Sequence, residues 1–143
     1  MNPLLDGLTV LDLSRLLPGP FCSLTLAQLG AEVIKIEEPD GGDYARELSP
    51  ELFDIVNRGK QSLTQDLRQP DDVERFKALV KDADVVLESF RPGVMDKLGC
   101  GYDTLKAINP QLVYASLTGY GQTGPYASRP GYDALIQAMG GVM

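Results

Sequence analysis

The strongest fold signal in the chain is the run Leu8-Thr9-Val10-Leu11-Asp12-Leu13-Ser14-Arg15-Leu16-Leu17-Pro18-Gly19-Pro20. Its first part is rich in apolar side chains at consecutive positions, which is typical of a strand buried on both faces. Pro18-Gly19-Pro20 interrupts the strand, and residues 21–29 are predicted to form a helix. Pro20 lies near the first turn of that helix, and Gly30 is its expected C-terminal stop. A strand followed at once by a helix begins a parallel βαβ unit.

The same alternation continues along the rest of the chain. Further strands are predicted at residues 33–36, 62–67, 84–87 and 112–117. Further helices are predicted at residues 51–56, from Pro70 to about residue 83, at residues 102–108 and at residues 133–139. This pattern predicts an α/β fold, a Rossmann-like parallel sheet with helices on both faces. Because the sequence ends on the apolar stretch 138–143, we expect residues 1–143 to be the N-terminal part of an incomplete large domain.

Composition excludes several classes of partner. The chain has 143 residues, enough for one domain, with 43% hydrophobic and 23% charged residues. Its net charge is −7, which argues against nucleic acid and against an anionic membrane surface, since both need a dense basic surface. A small anionic ligand stays possible, because it needs only a local group of arginines and lysines.

The cysteine and histidine content excludes several kinds of catalytic and metal site. Cys22 and Cys100 are too sparse for a disulfide scaffold and are expected to be free thiols in a reducing compartment. The chain has no histidine, which removes Ser-His-Asp triads, Cys-His pairs and histidine-ligated zinc. No stretch is long and apolar enough to cross a bilayer, and residues 1–6 lack the features of a signal peptide. We therefore expect a cytoplasmic protein.

Two glycine-containing stretches follow predicted strands. Residues 14–20 are either a simple strand-to-helix turn or a ligand-binding loop, since ligands of open parallel sheets bind at the carboxyl ends of strands. Gly119-Tyr120-Gly121-Gln122-Thr123-Gly124 has the spacing of a dinucleotide-binding loop. Pro125 and a long loop follow it instead of a helix, so we expect a flexible ligand-facing loop rather than a dinucleotide site.

Charged residues near strand ends are candidate ligand contacts. The basic ones are either phosphate contacts or solvated surface charges, and they are Arg15, Arg58, Lys60, Arg68, Arg91, Lys97 and Arg129. Among the acids, Glu37 and Glu38 are expected to form a solvated surface pair. Asp133 is expected to cap the last helix. Cys100, between two glycines, is expected to be buried and inert.

Several stretches taken in order carry a family resemblance. The first are Leu5-Asp6-Gly7-Leu8-Thr9-Val10-Leu11-Asp12-Leu13, Pro18-Gly19-Pro20 and Leu29-Gly30-Ala31-Glu32-Val33-Ile34-Lys35-Ile36-Glu37. The next are Asn57-Arg58-Gly59-Lys60-Gln61-Ser62-Leu63, Asp66-Leu67-Arg68 and Ala83-Asp84-Val85-Val86-Leu87-Glu88-Ser89-Phe90-Arg91-Pro92-Gly93. The last are Asn109-Pro110, Ser116-Leu117-Thr118-Gly119-Tyr120-Gly121 and Arg129-Pro130-Gly131-Tyr132-Asp133. Together they span nearly the whole chain. No single stretch identifies a family, but this many stretches in the same order are specific for one.

In these stretches the sequence resembles the class III CoA-transferase family, which includes formyl-CoA transferase and alpha-methylacyl-CoA racemase. The resemblance implies a large α/β domain with a smaller one, in two subunits that interlock as a homodimer. It implies transfer of coenzyme A from an acyl-CoA to a small carboxylic acid, with no metal. An aspartate attacks the thioester, giving a mixed anhydride and then an aspartyl-CoA thioester. That aspartate is expected beyond Met143, so no residue of this chain is expected to be catalytic.

The resemblance also implies where coenzyme A is contacted. Asp66, Leu67 and Arg68 are expected in a loop lining the nucleotide. Phe90 and Arg91 follow the central strand, and Lys97 is an expected phosphate contact. The remaining wall is formed by Thr118, Gly119, Tyr120 and Gly121.

Two positions depart from the family pattern. Several members carry an arginine that contacts CoA just after the second strand, where this chain has Glu38. Racemase members carry a histidine where this chain has Tyr132, which favours acyl-group transfer over racemisation. The alternatives left open are a non-catalytic CoA-binding or interaction module and a CoA-ester racemase.

Overall fold

The computed structural model of the chain describes residues 3–143, so Met1 and Asn2 of the segment considered for a signal peptide lie outside it. Its centre is one sheet of five parallel strands. They are β1 (Thr9–Leu13), β2 (Glu32–Glu37), β3 (Gln61–Thr64), β4 (Val85–Glu88) and β5 (Val113–Ser116). The strand order is β3-β2-β1-β4-β5, and every neighbouring pair is parallel. This is the order of the first five strands of the doubly wound Rossmann sheet. The sequence predicted the parallel sheet but not the order of its strands.

Residues 3–143 contain seven helices, of which six lie in the connections between strands and the last follows β5. They are α1 (Pro18–Gln28), α2 (Ala45–Leu48), α3 (Pro50–Val56), α4 (Pro70–Val80), α5 (Val94–Lys97), α6 (Tyr102–Ile108) and α7 (Asp133–Met139). All predicted helices are present, but α2 and α5 were not predicted, because a single turn is too short to show a helical period. None of these helices is of a length and apolarity that would let it cross a membrane.

Helices pack on both faces of the sheet. On one face, Leu11 and Val86 of the sheet pack against Phe76 of α4 and Leu105 of α6, and all four side chains are fully buried. On the other face, Val10 and Val33 pack against Leu26 of α1. Burial of each such side chain contributes about 1.5–3 kcal/mol to stability. This arrangement confirms the predicted doubly covered sheet.

Two strand predictions need correction. Residues 62–67 were predicted as a strand, but β3 runs from Gln61 to Thr64 and residues 65–67 lie outside it. The strands were also expected to be apolar on both faces, yet Gln61, Ser62 and Thr64 of β3 are exposed. β3 lies at the edge of the sheet, where one strand neighbour and one set of packing partners are missing.

The loop after β1 has an unusual backbone. Leu16 has a φ of 65°, the left-handed region that non-glycine residues rarely adopt. Its backbone N–H donates a hydrogen bond to Oδ1 of Asp43 at 2.8 Å, in the loop after β2. Backbone strain of this kind persists only where the surroundings hold it, and it clusters at ligand-binding sites. The carboxyl edge of the sheet is therefore the first place to look for a functional site.

Candidate functional site

A cavity of about 210 Å³ opens at the carboxyl ends of β1, β2 and β4, and we call it the first cavity. Its apolar floor is formed by Leu13, Ile36, Leu67, Phe90 and Leu98. Its rim is charged and carries Arg15, Glu38, Asp66 and Arg68. An apolar slot with a few placed polar groups is the usual form of a small-molecule site, and this edge of the sheet is where ligands of such folds bind.

Arg15 forms one side of the rim. Its guanidinium carbon lies 4.9 Å from the ring centres of both Tyr44 and Phe90. It donates hydrogen bonds to the Tyr44 hydroxyl and to Oε1 of Glu38, each at 3.0 Å. The backbone N–H of Arg15 donates to Oγ of Ser89 at 2.9 Å, which ties the ends of β1 and β4 together. These contacts hold a planar cation at the edge of the apolar floor.

Arg68 forms the opposite side of the rim and is more exposed. It donates to Oδ1 of Asp66 at 2.7 Å, and its guanidinium lies 3.8 Å from Oε2 of Glu38. The hydrogen bonds from Arg68 lower the pKa of Asp66. Glu38 therefore lies between two arginines, and each arginine is paired with a carboxylate.

A buried network of charges lies behind the rim, in contact with α1. Asp12 of β1 accepts hydrogen bonds from Oγ of Ser23 at 2.5 Å and from Nζ of Lys60 at 3.0 Å. Lys60 also donates to the backbone oxygen of Pro20 at 2.9 Å, at the start of α1. Burial alone would raise the pKa of Asp12, but Lys35, Lys60 and two serine hydroxyls lower it overall. Burial lowers the pKa of Lys60 in spite of its partner Asp12.

A second buried pair supports the strained loop. Nζ of Lys35 donates to Oδ2 of Asp43 at 2.9 Å and also to the backbone oxygen of Ser14. Oδ1 of Asp43 accepts the backbone N–H groups of Leu16 and Ala45. Lys35 and Asp43 have side chains only 2% and 0% exposed. This pair fixes the backbone on either side of Arg15.

A second cavity, of about 300 Å³, lies beside the ends of β4 and β5. Glu88 is buried in its wall, accepts the backbone N–H of Phe90 at 2.7 Å and accepts the hydroxyl of Ser116. Nε2 of Gln122 donates to Oγ of Ser116 at 2.6 Å. Burial raises the pKa of Glu88, although these hydrogen bonds oppose the shift. A chain of hydrogen bonds thus joins Gln122, in the loop at 119–124, to the backbone of Phe90, whose side chain lines the first cavity.

The structure divides the sequence-predicted CoA contacts between these places. Asp66, Leu67, Arg68 and Phe90 line the first cavity, and Arg91 lines the second. Lys97 is exposed at the end of α5 and lines neither cavity. The other predicted contacts, Thr118, Gly119, Tyr120 and Gly121, lie in the loop after β5, whose next residue, Gln122, lines the second cavity.

The loop at 119–124 follows β5 and does not open a helix, although its glycines have the spacing of a dinucleotide-binding motif. No helix follows it until Asp133, so it lacks the geometry of a dinucleotide-binding turn. An added Cβ on Gly119 would lie 2.5 Å from the Cα of Gly131, so the two backbones touch. Tyr120 packs edge to face on Tyr126 at 5.7 Å between ring centres.

Several predictions about single residues were wrong or incomplete. Glu37 and Glu38 are not a solvated pair. The side chain of Glu37 is 6% exposed and accepts hydrogen bonds from Nε and Nη2 of Arg46, while Glu38 pairs with Arg15. Asp133 is the first residue of α7 rather than its cap, and its carboxylate accepts Nε2 of Gln137. Cys100 is buried, as predicted, whereas Cys22 is exposed.

Sequence analysis did not single out Lys35, Asp43 or Gln65. The sequence does contain a sign that Lys35 is important. Lys35 is a charged residue within the apolar run 33–36, just as Asp12 is within the apolar run of the neighbouring strand. The two are register partners in the sheet. Charges at the centre of buried strands are rare unless they are paired.

Comparison with known proteins identifies the family. The sequence profile described as CoA-transferase family III matches residues 5–143. The chain belongs to CoA-transferase family III. It is 49% identical over 144 aligned residues to an acetyl-CoA:oxalate CoA-transferase of Acetobacter aceti, covering 96% of this chain and 37% of that protein. It is 42% identical to a succinate–glutarate CoA-transferase of Agrobacterium fabrum, covering 99% of this chain and 39% of that protein.

A solved structure of the same family has the same fold. The crystal structure of a CAIB/BAIF family protein from Brucella suis superposes with a TM-score of 0.94 at 49% identity, over 100% of this chain and 40% of that one. The chain thus spans about two fifths of the length of the relatives that it matches.

Proposed function

We propose that residues 1–143 form one domain, the N-terminal CoA-binding part of an acyl-CoA:carboxylate CoA-transferase. Coenzyme A would pass from an acyl-CoA thioester to a small carboxylic acid through an aspartyl anhydride. The attacking aspartate would lie beyond residue 143, so this domain would bind and orient CoA rather than break bonds. Family membership supports the transferase class, and the shape and charge of the first cavity support the binding role.

The single observation that carries the binding role is the pairing of an apolar slot with two arginines at the carboxyl edge of the sheet. Phe90 and Leu67 line the slot with apolar side chains, against which a purine ring would pack. Arg68, which is 56% exposed, lies where it can contact phosphate outside the slot. Arg91, which lines the second cavity, and Lys97, which is exposed at the end of α5, would supply further positive charge along the pyrophosphate.

The size of the first cavity limits what it can hold. Its volume of about 210 Å³ lies below the ~300–1,000 Å³ that is usual for a whole drug-sized ligand. We therefore place only the base of CoA inside it, with the phosphates on the rim and the pantetheine arm outside. Phosphate binding requires that Arg68 exchange a carboxylate partner for a phosphate, which is favourable because phosphate offers more charge to the guanidinium.

This domain would act by positioning in the transferase reaction. Holding the nucleotide end of CoA would position the thioester near the aspartate and the incoming carboxylate. Less entropy is then lost when the reacting groups reach the transition state. Binding energy from a remote part of the substrate is used in this way by many enzymes. Thr118, Gly119, Tyr120 and Gly121 would form the second wall, along which the pantetheine arm leaves the nucleotide.

The remaining parts of the proposal follow the family. The whole protein would be a cytoplasmic, interlocked homodimer with acyl-CoA and a small carboxylic acid as its substrates and no metal. It would not bind nucleic acid or a membrane, in keeping with the net charge of −7.

A calorimetric titration of the chain with CoA and with dephospho-CoA tests the binding role. We expect saturable CoA binding that weakens with added salt and weakens again without the 3′-phosphate. Arg68→Gln should weaken CoA binding about tenfold, since it removes a charged hydrogen bond to phosphate. Arg75→Gln, which removes an arginine on α4 that is also exposed and also paired with an aspartate, is the matched control and should bind as the wild type. Absence of binding by a folded chain would refute the assignment.

A further inference from the structure

Glu88, the last residue of β4, is a buried carboxylate, with 4% of the residue exposed. It makes no ion pair within residues 3–143, in contrast to the buried acids Asp12 and Asp43, which are each paired with a lysine. Burying a carboxylate is costly unless other groups hydrogen-bond to it, and an apolar side chain would avoid that cost. A role for Glu88 would therefore lie in the groups that it holds.

The two oxygens of this carboxylate hold two different parts of the chain. Oε2 accepts the backbone N–H of Phe90 at 2.7 Å, and the side chain of Phe90 lines the first cavity. Oε1 accepts the hydroxyl of Ser116, the register partner of Glu88 on β5. Glu88 thus fixes the start of the loop after β4 and, at the same time, the last side chain of β5.

Ser116 extends this contact to the loop at 119–124. Its Oγ accepts Nε2 of Gln122 at 2.6 Å. Within residues 3–143 this is the one hydrogen bond that joins residues 118–124 to the sheet. The backbone beside Ser116 is itself fixed, since the N–H of Leu117 donates to the carbonyl oxygen of Glu88 at 2.9 Å. The loop is therefore attached to the sheet through a serine whose hydroxyl Glu88 orients.

We propose that Glu88 is a positioning residue, which sets the loop at 119–124 against the first cavity so that one CoA molecule can contact both. In the proposed function the nucleotide end lies at the first cavity and the pantetheine arm passes along the loop. Glu88 touches neither part. It acts through Phe90 on the nucleotide end and through Ser116 and Gln122 on the arm. This inference rests on the proposed CoA-binding function and names the residue that aligns its two walls.

The direction of the hydrogen bonds makes this arrangement specific. An ionised carboxylate only accepts, so the hydroxyl of Ser116 has to donate to Glu88. The oxygen of Ser116 then has its lone pairs free to accept the amide N–H of Gln122. An amide in place of Glu88 could still serve both neighbours, by accepting from Phe90 and donating to Ser116, whereas leucine could serve neither.

Calorimetric titration of the 143-residue chain with two ligands separates the two walls. The ligands are CoA and adenosine 3′-phosphate 5′-diphosphate, which is CoA without the pantetheine arm, and the wild type should bind CoA more tightly. Ser116→Ala detaches the loop but keeps the bond to Phe90. It should weaken CoA binding about three- to tenfold, the range for one lost hydrogen bond, and leave binding of the nucleotide unchanged. Gln122→Leu breaks the next bond of the chain and should give the same result.

Variants of Glu88 affect both walls together. Glu88→Leu should weaken both ligands, because Phe90 also loses its acceptor, and Glu88→Gln should recover most of the affinity for each. Circular dichroism shows whether each variant is folded. If Glu88→Leu is not, the comparison of Ser116→Ala with Glu88→Gln carries the test. Ser62→Ala and Gln111→Leu remove exposed side chains outside this chain of bonds, and as controls they should bind both ligands like the wild type.

Each outcome bears on the inference. A loss in Ser116→Ala that is confined to CoA, with affinity kept in Glu88→Gln, supports it. An unchanged CoA affinity in Ser116→Ala, an equal loss for both ligands, or a loss in Glu88→Gln as large as in Ser116→Ala overturns it and leaves the proposed CoA site standing. Equal binding of CoA and the nucleotide by the wild type does the same. A folded wild-type chain that binds neither ligand overturns the proposed function and this inference together.

Discussion

Glu38 is bound to Arg15 at 3.0 Å across the carboxyl ends of β1 and β2. The same carboxylate lies 3.8 Å from Arg68, so it neutralises part of both cations that face the first cavity. The family resemblance implies an arginine just after the second strand, where this chain has the acid Glu38, and Arg15 from the neighbouring strand lies within hydrogen-bond distance of that acid. A phosphate that approaches the rim has to compete with Glu38.

Glu38→Gln should therefore strengthen CoA binding. Removing the acid frees Arg15 and Arg68 for phosphate, and we expect a gain of about two- to fivefold, since partly exposed ion pairs contribute ~1 kcal/mol or less. Calorimetric titration at low salt measures the change. Glu74→Gln makes the same charge change on α4, away from the cavity, and serves as the control. Weaker binding by Glu38→Gln would mean that the acid holds Arg15 in its working position instead.

Asp12→Asn should destabilise the fold by about 3–5 kcal/mol, because it leaves the buried ammonium group of Lys60 without the carboxylate with which it is paired. Urea unfolding followed by circular dichroism gives the free energy of unfolding. Asp82→Asn, an exposed acid after α4, should change that free energy little. Equal stability of the two variants would show that Lys60 is neutral in the folded chain.

The stability of the chain should fall steeply in acid. Because the folded pKa of Asp12 is lowered from 3.8, its stabilising contribution is present above that pH and is lost as the pH falls further. Glu88 acts in the opposite sense, since its raised pKa favours the protonated form and its contribution is lost as the pH rises above 4.5. Urea unfolding between pH 3 and 6 tests both. In Asp12→Asn the free energy of unfolding should fall less steeply as the pH is lowered. If the fall is as steep as in the wild type, Asp12 is not its cause.

The two cysteines should differ sharply toward a thiol reagent. Cys22 is exposed on α1, while burial raises the pKa of Cys100 to about 11. Thiolate is the reacting form, so we expect Cys22 to react at pH 7–8 and Cys100 to react only after unfolding. Absorbance titration with a disulfide reagent, with and without urea, counts the thiols. Cys22→Ser should abolish the reaction of the folded chain, and residual reaction would show that α6 opens locally near Cys100.

Much of the fold was predictable because its signals are local. Apolar runs at residues 8–13 and 84–87 mark central strands, and Pro70, the first residue of α4, marks a helix start. Elements without a local period were missed, as with the single turns α2 and α5. Asp133 was misplaced by one residue, since a capping residue and a first-turn acid look alike in sequence.

The sequence by itself determined the type and order of the main elements, the family resemblance and the absence of histidine chemistry. Only the tertiary structure decided which charges meet. Arg15 reaches Glu38, which is 23 residues away, and its backbone reaches Ser89, which is 74 residues away, because strand order β3-β2-β1-β4-β5 brings those carboxyl ends together. Likewise, only the fold shows that the side-chain oxygen of Gln65 is buried with no hydrogen-bond partner within residues 3–143. Pairing and burial depend on contacts between distant parts of the chain, and a local pattern carries no record of them.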